Sequence, residues 1–519
     1  MKKSRTIDFN SILTAANLLF TALFVFTFAN TGGNEYIDGE TVAFGVLLAG
    51  QTHFALWFER RHRDPFVILL ALSMTVYYQL RLLTLTWNPY STVFGRYSYH
   101  ASDTNYALIF IIVANIAIYV GLSLYRFTCD LEIKTGSWRA TSPMRPVLLM
   151  LVAITFAYAG GRYWNEDNVP RVFNFLTIFV AQDVVVLMAL AYYFVFKQSL
   201  SRNVRFLIVL MVAVDIVVHT LLGSRGGLVG ILQEYIWVTL AIASCIRFRR
   251  KAFLLGLALS PVLVALLVFS FAISTYNRAF RDGGTLDVGQ AFELAIQGSS
   301  ELSLESTLDK VVPLIADRIG YLDYSAEIIA HRDEYASVIN LSSYAKSIVD
   351  NVLTPGFDVY DQPKISNALQ FVYEGMGSPS KISANESYHS DQLGIYGEFY
   401  GLFGYASLPL FFLTAFLMKR LYGRIRSEDP FILVVKRAVV LYLFVRMIDS
   451  YGFDWTILDI LTRVAAIYMY RYFFRSKRGS VDESRSRVNG AALIIEPFVA
   501  QPHAIATAGD VGSPNLGRS

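Results

Sequence analysis

The sequence predicts an all-α protein, a polytopic membrane bundle of about twelve transmembrane helices, and three observations lead to this fold class. Apolar residues make up 54% of the 519 residues and charged residues only 17%, against about 25% charged in an average soluble protein. The apolar residues form blocks of about 18–24 residues, long enough to cross roughly 30 Å of hydrocarbon. Lys and Arg also alternate from one connection to the next. A soluble multidomain protein is therefore excluded.

The apolar blocks predict the transmembrane helices in order. The first follows Lys2, Lys3 and Arg5 and is too long for a signal peptide, so it is predicted to remain as an uncleaved helix. The predicted spans are residues 11–29, 41–58, 66–86, 105–125, 146–161, 173–196, 205–222, 227–245, 252–274, 394–417, 431–448 and 455–474.

The connections between these spans predict the orientation of the bundle. Lys and Arg are enriched in cytoplasmic loops of membrane proteins. The basic connections are residues 59–63, 126–145, 197–205, 247–251, 419–426 and 475–478. The connections poor in Lys and Arg are residues 31–40, 87–104, 161–171, 223–227 and 447–455. Both termini are therefore predicted to lie in the cytoplasm.

The same reading divides the chain into four parts. Residues 1–273 carry the first nine helices, and residues 393–475 carry the last three. Residues 274–392 form one large extracytoplasmic loop, a cap in which the amphipathic period over 308–330 predicts short helices. Residues 476–519 read as a disordered cytoplasmic tail. The two cysteines, Cys129 and Cys245, form no CxxC, so neither a disulfide framework nor a metal finger is indicated.

Ionisable residues inside the predicted spans are costly to bury in lipid and are candidates for function. Their positions suggest a polar cavity open to the outer side. The competing interpretation is that they snorkel to the interface or form interhelical ion pairs. These residues are Arg81, Asp183, Asp215, His219, Glu234, Glu398, Arg446, Asp449, Asp459 and Arg463.

The strongest local pattern is the tight outer connection that contains Ser224, Arg225 and Gly226. Glycine allows a ligand to approach the backbone closely, and the next helix directs its positive dipole end toward the same space. Arg225 adds a permanently charged fork suited to phosphate oxygens. The pattern favours an anion site for a lipid-linked phosphate, although an ordinary turn would have the same sequence.

The large loop carries candidate residues at both of its ends. Arg278 and Arg281 share a helix face where the loop begins and suit a second phosphate group or lipid head groups. Tyr388, His389 and Asp391 precede Glu398 where the loop ends. A histidine or carboxylate here could act as general base toward a sugar hydroxyl. The aromatic residues around them would equally suit an interfacial belt.

These motifs resemble a known family. The Gly223-Ser-Arg-Gly226 turn, the large late outer loop, and the following Gly397-Glu-Phe-Tyr-Gly-Leu-Phe-Gly404 are similar to features of the O-antigen polymerases, the Wzy-type oligosaccharide repeat-unit polymerases. The resemblance covers the layout of the whole chain but only some fifteen motif residues. The layout is GT-C-like. Arg-rich repeats in two large outer loops, which are familiar in this family, are not evident in the sequence.

The resemblance implies a metal-independent glycosyltransferase without cofactors. It would polymerise undecaprenyl-pyrophosphate-linked oligosaccharide units into O-antigen, exopolysaccharide or capsule chains on the periplasmic face. Arg225 would bind the pyrophosphate, with help from Arg278 or Arg281, and His389 or Glu398 would orient or deprotonate the accepting hydroxyl. The remaining candidate substrate contacts are Ser224, Gly226, Tyr388, Asp391 and Arg446. The implied partners are a chain-length regulator and a flippase of the same pathway, and no nucleic acid.

Two other functions stay open. An O-antigen ligase or another lipid-linked glycosyltransferase would share the arginines and the outer histidine. A flippase or transporter of the same lipid-linked oligosaccharide would need charges through the full depth of a cavity. The deeper residues Asp183, Asp215 and Arg463 keep that alternative open.

Overall fold

A computed structural model describes residues 6–62, 64–87, 99–125, 138–163, 182–221, 227–243, 247–250, 319–353, 359–360, 393–449, 453–474 and 476–478, together with the single positions 254, 258, 293, 365 and 372. This part of the chain is mostly helical. It belongs to one compact unit, Met1–Ser480, and the second unit, Val481–Ser519, contains no described residues. The predicted disordered tail therefore lies outside the described residues.

The helices follow the predicted apolar blocks closely. They are α1 (Phe9–Thr31), α2 (Gly39–His62), α3 (Pro65–Ser73), α4 (Leu80–Trp87), α5 (Ala101–Leu124), α6 (Met144–Tyr163), α7 (Gln182–Phe196), α8 (Arg202–Leu221), α9 (Gly227–Ala243), α10 (Tyr321–Ala330), α11 (Arg332–Tyr335), α12 (Leu341–Ile348), α13 (Gly394–Phe403), α14 (Leu408–Arg424), α15 (Pro430–Asp449) and α16 (Phe453–Tyr470). A π-helical segment, Met74–Gln79, joins α3 to α4, and a second one, Val349–Leu353, follows α12. A 3₁₀ turn, Gly404–Ser407, joins α13 to α14.

Local capping sets several helix boundaries. Asp8 accepts a hydrogen bond from the backbone N–H of Asn10 at the start of α1. Asp64 accepts one from the backbone N–H of Phe66 at 2.9 Å, just before Pro65 begins α3. Carboxylates at this position satisfy N–H groups that the helix leaves unpaired. Gly32 ends α1 in the left-handed region at φ 76°, where glycine avoids steric strain.

Five segments are long and apolar enough to cross a membrane: Phe9–Thr31, Gly39–Phe58, Pro65–Trp87, Ala101–Leu124 and Gly394–Arg424. Shorter apolar helices are Met144–Phe156, Asp183–Phe196, Gly230–Ala243 and Ile460–Tyr470. The predicted helical class is confirmed, and these segments coincide with predicted spans. The count of twelve stays a prediction, because the predicted ninth span falls almost wholly on residues outside the described ranges.

Large apolar side chains point outward along several helices. Phe26 on α1, Phe54 on α2 and Phe206 on α8 are 66%, 63% and 64% exposed. Extended exposed apolar surface is rare on soluble monomers and marks contact with lipid or a partner. This distribution fits helices that present their outer faces to hydrocarbon.

Polar side chains join the helices inside the bundle. The Asn17 amide on α1 donates to the carbonyl of Ala49 on α2 at 3.0 Å, and the Gln51 amide on α2 donates to the carbonyl of Ile112 on α5 at 2.9 Å. The Gln79 amide donates to the carbonyl of Gly45 at 2.9 Å. Interhelical bonds of this kind and small residues hold helices together where both sides are apolar.

Two antiparallel strand pairs bring together segments that the loop charges assign to one side. β1 (Thr6–Asp8) pairs with β3 (Arg247–Arg249), and β2 (Trp138–Ala140) pairs with β4 (Ser476–Arg478). All four strands lie in segments predicted to be cytoplasmic. An ion pair between Asp64 and Lys419 joins two further segments of the same predicted side. The contacts in the structure and the loop charges therefore place the same segments at one end of the helical bundle.

The opposite end joins two connections predicted to be outside. The backbone N–H of Ala101 donates to the carbonyl of Glu35 at 2.8 Å, and the rings of Tyr36 and Tyr99 lie 5.1 Å apart. Asp38 accepts hydrogen bonds from the Asn105 amide and from the backbone N–H of Thr41. Partial burial alone would raise the pKa of Asp38, but these hydrogen bonds outweigh it and lower the pKa below its ordinary value.

The later part of the predicted large loop packs into the helical core. Within the predicted amphipathic segment 308–330, helix α10 forms over Tyr321–Ala330, and every residue from Tyr321 to Ile328 is buried. It contacts α5 and α13, and its apolar residues belong to the same core cluster as the long helices. Residues 308–318 lie outside the described ranges. This part of the chain is therefore integral to the bundle.

Candidate functional site

A cluster of charged side chains lies between helices α7, α9, α15 and α16, and its centre is the ring of Tyr442 on α15. The guanidinium carbon of Arg463 lies 4.0 Å from the centroid of this ring, and that of Arg446 lies 5.3 Å from it. Arg446 also donates through Nε to the Tyr442 hydroxyl at 3.0 Å. Trp237 on α9 packs edge-on against the same ring at 4.8 Å. One aromatic ring thus fixes two permanent cations by cation–π contact.

Two carboxylates, Asp183 and Glu234, lie near these arginines, and a third carboxylate with a neighbouring histidine lies near Glu234. Asp183 at the start of α7 forms an ion pair with Arg463. Asp215 and His219 lie one turn apart on α8, with His219 Nε2 4.0 Å from Asp215 Oδ2. Glu234 on α9 is 5% exposed and lies close enough to both arginines to interact with them electrostatically. Its Oε2 atom accepts no hydrogen bond from the described part of the chain.

The Gly-Ser-Arg-Gly turn connects two helices, α8 and α9, that carry ionisable residues in or near this cluster. Helix α8 ends at Leu221 and α9 begins at Gly227, so the turn with Arg225 connects them. His219 lies within the last turn of α8, and Glu234 lies two turns into α9. The turn itself lies outside the described residues. Of its flanking helices, α9 places Glu234 near Arg446 and Arg463, and α8 places Asp215 near Glu234.

A second buried ion pair lies beside the outer connections. Arg81 on α4 pairs with Asp323 on α10, and both side chains are at most 1% exposed. The Tyr99 hydroxyl donates to Asp323 Oδ1 at 2.8 Å. Burial, followed by the nearby Asp323 charge, raises the pKa of Tyr99 well above its ordinary value. Tyr99 therefore remains a neutral donor at physiological pH.

Tyr77 in the first π-helical segment contacts both α9 and α10. Its hydroxyl is 3.4 Å from the Gln233 amide, which precedes Glu234 on α9. Its ring packs edge-on against Tyr321 on α10 at 4.8 Å. π-helical segments inside α-helices occur frequently at functional sites. Tyr77 thus joins α9, which carries Glu234, to α10, which carries Asp323.

The helix that follows the large loop starts against the end of α15. Gly394 adopts φ 63°, and a Cβ atom there would lie 2.9 Å from the carbonyl oxygen of Ile448. Helices α13 and α15, which carry the predicted site residues Glu398 and Arg446, therefore pack together. Arg446 is half-buried within the Tyr442 cluster, whereas the side chain of Glu398 is 1% exposed.

The remaining predicted site residues have no described position. They are Ser224, Arg225, Gly226, Arg278, Arg281, Tyr388, His389 and Asp391. The structure also identifies three residues that the sequence did not single out: Tyr442, Asp323 and Tyr99. Tyr442 could have been found from its spacing, because it lies four residues before Arg446 and so on the same helix face. Asp323 gave no such signal, because its partner Arg81 is 242 positions away.

Within the described ranges, no three His, Cys, Asp or Glu side chains are grouped so that they could hold a metal ion. The charged groups are instead arranged as arginine–carboxylate and arginine–tyrosine contacts. Such an arrangement can bind an oxyanion by charge and hydrogen bonding. Comparison of the chain with protein-family models, curated proteins and solved structures finds no match.

Proposed function

We propose that this protein is a glycosyltransferase of the bacterial inner membrane that polymerises undecaprenyl-pyrophosphate-linked oligosaccharide units at the periplasmic face. The observation that carries the proposal is the Tyr442 cluster. It places Arg446 and Arg463 near Glu234 on α9, the helix that follows the Gly-Ser-Arg-Gly turn. A lipid diphosphate requires cations that its phosphate groups can contact, and the cluster holds two permanent cations near a helix that follows the turn.

The proposed reaction transfers the growing chain to the next unit. The accepting hydroxyl attacks the anomeric carbon of the donor, and the bond from that carbon to the diphosphate oxygen breaks. The electron pair leaves on the diphosphate, where arginines stabilise the developing charge. The hydroxyl proton passes to a general base. His389 is the favoured base, because the burial of Glu398 inside the packed α13 limits its access to a sugar.

The proposed location follows from the loop charges and from the segments that pair at each end. Both termini would lie in the cytoplasm, with residues 223–227 and the large loop at the periplasmic side. The partners would be the bilayer, the lipid-linked oligosaccharide, and the flippase and chain-length regulator of the pathway. A ligase that uses another acceptor would need the same arginines, and only the product distinguishes the two enzymes.

A flippase of the same lipid is the second candidate function, because Asp215, Glu234 and Arg463 are buried inside the bundle. Charged groups at this depth suit a translocation path. An enzyme and a flippase differ in what accumulates when they fail. A polymerase defect leaves single units on the periplasmic face, whereas a flippase defect retains them on the cytoplasmic face.

The proposal is tested by Arg225→Ala in a strain that has no other copy of the protein. We expect the loss of long polymer, because the donor diphosphate loses a cation that binds it. Single repeat units should still be delivered to the periplasm. Arg225→Lys should retain partial activity, since a point charge replaces the planar fork. Surface polysaccharide resolved by gel electrophoresis, with immunoblots for protein level, provides the measurement. Normal chain lengths in Arg225→Ala would contradict the proposal.

A further inference from the structure

We propose that helix α12 and the π-helical segment Val349–Leu353 form an interfacial element that rests on the lipid bilayer. Its apolar face lies in the acyl chains of the leaflet on the side of the large loop, and Lys346 lies at the level of the lipid head groups. The partner is the bilayer itself. This inference goes beyond the proposed function, because it concerns how the later part of the large loop is held at the membrane.

The exposed face of this element is apolar along its length. Leu341 and Leu353 are 65% and 69% exposed, and Ala345 is exposed between them. Ala345 follows Leu341 by four positions and precedes Leu353 by eight, so all three residues lie on one face of the helical segment. Among the eight residues of α12, which are all described, Ser342 is the only exposed polar one.

The opposite face of the element packs into the protein and carries polar residues. Ser343, Ser347 and Asp350 are buried, and their spacing of four and three positions places them on one face. A surface helix of a soluble protein turns its apolar face toward the core and its polar face toward water. The reversed arrangement in this element indicates that its outer face meets hydrocarbon, since exposed apolar surface marks contact with a membrane or a partner.

The contacts of the element place it beside apolar helices. Ile339, just before α12, lies against Gly401, where an added Cβ atom would be 3.1 Å from the Ile339 Cγ2 atom. Gly401 belongs to the candidate membrane segment Gly394–Arg424. Helix α12 and the π-helical segment also pack against α16, whose exposed side chains include Leu461 and Val464. The element therefore adjoins helices suited to hydrocarbon, which favours lipid as its partner.

A lysine and a tyrosine at the edge of the apolar face fit the boundary between acyl chains and head groups. Asp350 accepts hydrogen bonds from the backbone N–H groups of Val359 and Tyr360 at 3.0 and 3.3 Å, which joins these residues to the π-helical segment. Both residues are exposed, and Lys346 Nζ lies 5.8 Å from the centroid of the Tyr360 ring. Tyrosine is enriched at this boundary, and the long lysine side chain reaches lipid phosphates from it.

The test measures the surroundings of spin labels on this face in proteoliposomes of phosphatidylethanolamine and phosphatidylglycerol. In the full-length protein, Cys129 and Cys245 are replaced by serine, and a nitroxide is attached at Leu341→Cys or Leu353→Cys. Electron paramagnetic resonance compares collisions with oxygen, which concentrates in hydrocarbon, and collisions with a water-soluble nickel chelate. We expect both labels to be severalfold more accessible to oxygen than to nickel.

Two further labelled positions calibrate the measurement. Phe26 is 66% exposed within the candidate membrane span Phe9–Thr31, so Phe26→Cys gives the ratio of oxygen to nickel accessibility in hydrocarbon. The side chain of Glu334 is 65% exposed on the short helix α11, so Glu334→Cys gives the ratio in water. The ratios at Leu341→Cys and Leu353→Cys should approach that of Phe26→Cys and exceed that of Glu334→Cys severalfold.

The contact of Lys346 with head groups is tested by Lys346→Glu in the protein labelled at Leu341→Cys. The ratio of oxygen to nickel accessibility should fall in vesicles that contain phosphatidylglycerol, because anionic head groups repel the glutamate. It should fall less in vesicles of phosphatidylcholine alone. An equal decrease in both kinds of vesicle would overturn the contact with head groups, since the loss of the Tyr360 contact would then explain it.

Two results would overturn the interfacial element as a whole. Nickel accessibility at Leu341→Cys and Leu353→Cys equal to that at Glu334→Cys would show that the apolar face lies in water. Low accessibility to both oxygen and nickel would show that protein, such as a second copy of the chain, covers the face. Neither result bears on the proposed function, which the polymer made by Arg225→Ala tests separately.

Discussion

At the residue scale, the buried pair of Arg81 and Asp323 shows how a single charge contact fixes a distant segment. Arg81 is fully buried on α4, and Asp323 lies on α10 within the predicted large loop. Tyr99 donates to the second oxygen of Asp323. A buried charge is tolerated only when it is paired and hydrogen-bonded, so each member of this trio depends on the others.

We predict that Arg81→Met destabilises the protein by about 3–5 kcal/mol, because it leaves Asp323 buried without its cation. The double variant Arg81→Met/Asp323→Leu should recover much of this loss, since both charges are removed. Tyr99→Phe should cost less, about 1.5–3 kcal/mol, the value of one hydrogen bond to a charged group. Unfolding in detergent micelles followed by circular dichroism measures the three variants. A double variant as unstable as Arg81→Met would contradict the pairing argument.

At the scale of the helices, close packing depends on glycine at one crossing. Helix α5 packs against α14, and a Cβ atom at Gly121 would lie 2.4 Å from the carbonyl oxygen of Phe412 and 3.2 Å from the Cβ atom of Ala415. Small residues at such crossings let helix backbones approach closely in membranes. The contact joins a helix from the first half of the chain to one that follows the large loop.

We predict that Gly121→Ala destabilises the bundle by about 1–3 kcal/mol, because the added methyl group must push α14 away. Gly50 on α2 is the matched control, since an added Cβ there meets no atom within 4 Å. Gly50→Ala should be neutral or stabilising by up to about 1 kcal/mol, because alanine favours the helix. Thermal unfolding in micelles compares the two. Equal losses at both positions would indicate a general glycine effect and reject the crossing argument.

At the scale of the whole molecule, the described contacts sort the connections into two groups. The strand pairs and the Asp64–Lys419 ion pair join segments at one end. The contacts of Glu35, Tyr36 and Tyr99 join segments at the other. The grouping agrees with the distribution of Lys and Arg. The contacts show which connections lie at the same end, and the Lys and Arg distribution predicts which end is cytoplasmic.

We predict that Glu35→Cys and Glu428→Cys, two exposed positions in these opposite groups, react differently with a membrane-impermeant maleimide. Each is made after Cys129 and Cys245 have been replaced by serine. In intact spheroplasts Glu35→Cys should be labelled, and Glu428→Cys should be labelled only after permeabilisation. Both residues carry the same charge, so the substitutions are chemically matched. Labelling of Glu428→Cys alone in intact spheroplasts would show that the orientation is inverted. Labelling of both would show that the two groups of connections do not lie on opposite sides of the membrane.

The sequence was sufficient for the helices and for their ionisable residues. A charged residue within an apolar segment can be identified from the sequence whatever direction its side chain takes in the fold. This is how the sequence identified Arg81, Asp183, Glu234 and Arg463. Which residues they contact in the folded chain was not predictable. Tyr442 sits among apolar residues and reads as ordinary core, and Asp323 lies in a polar segment that reads as an external loop. Nothing in the spacing along the chain relates either of them to Arg463 or Arg81.

The sequence by itself determined the helical class, the positions of the candidate membrane spans, and the expected orientation, because these follow from hydropathy and charge counted over consecutive residues. Only the tertiary structure decided that α10 packs inside the bundle and that Arg446 and Arg463 share one tyrosine ring. The reason is physical: hydropathy is a local sum, whereas a buried charge is paired by residues that folding brings together from distant parts of the chain. The site therefore emerges from contacts that no single segment contains.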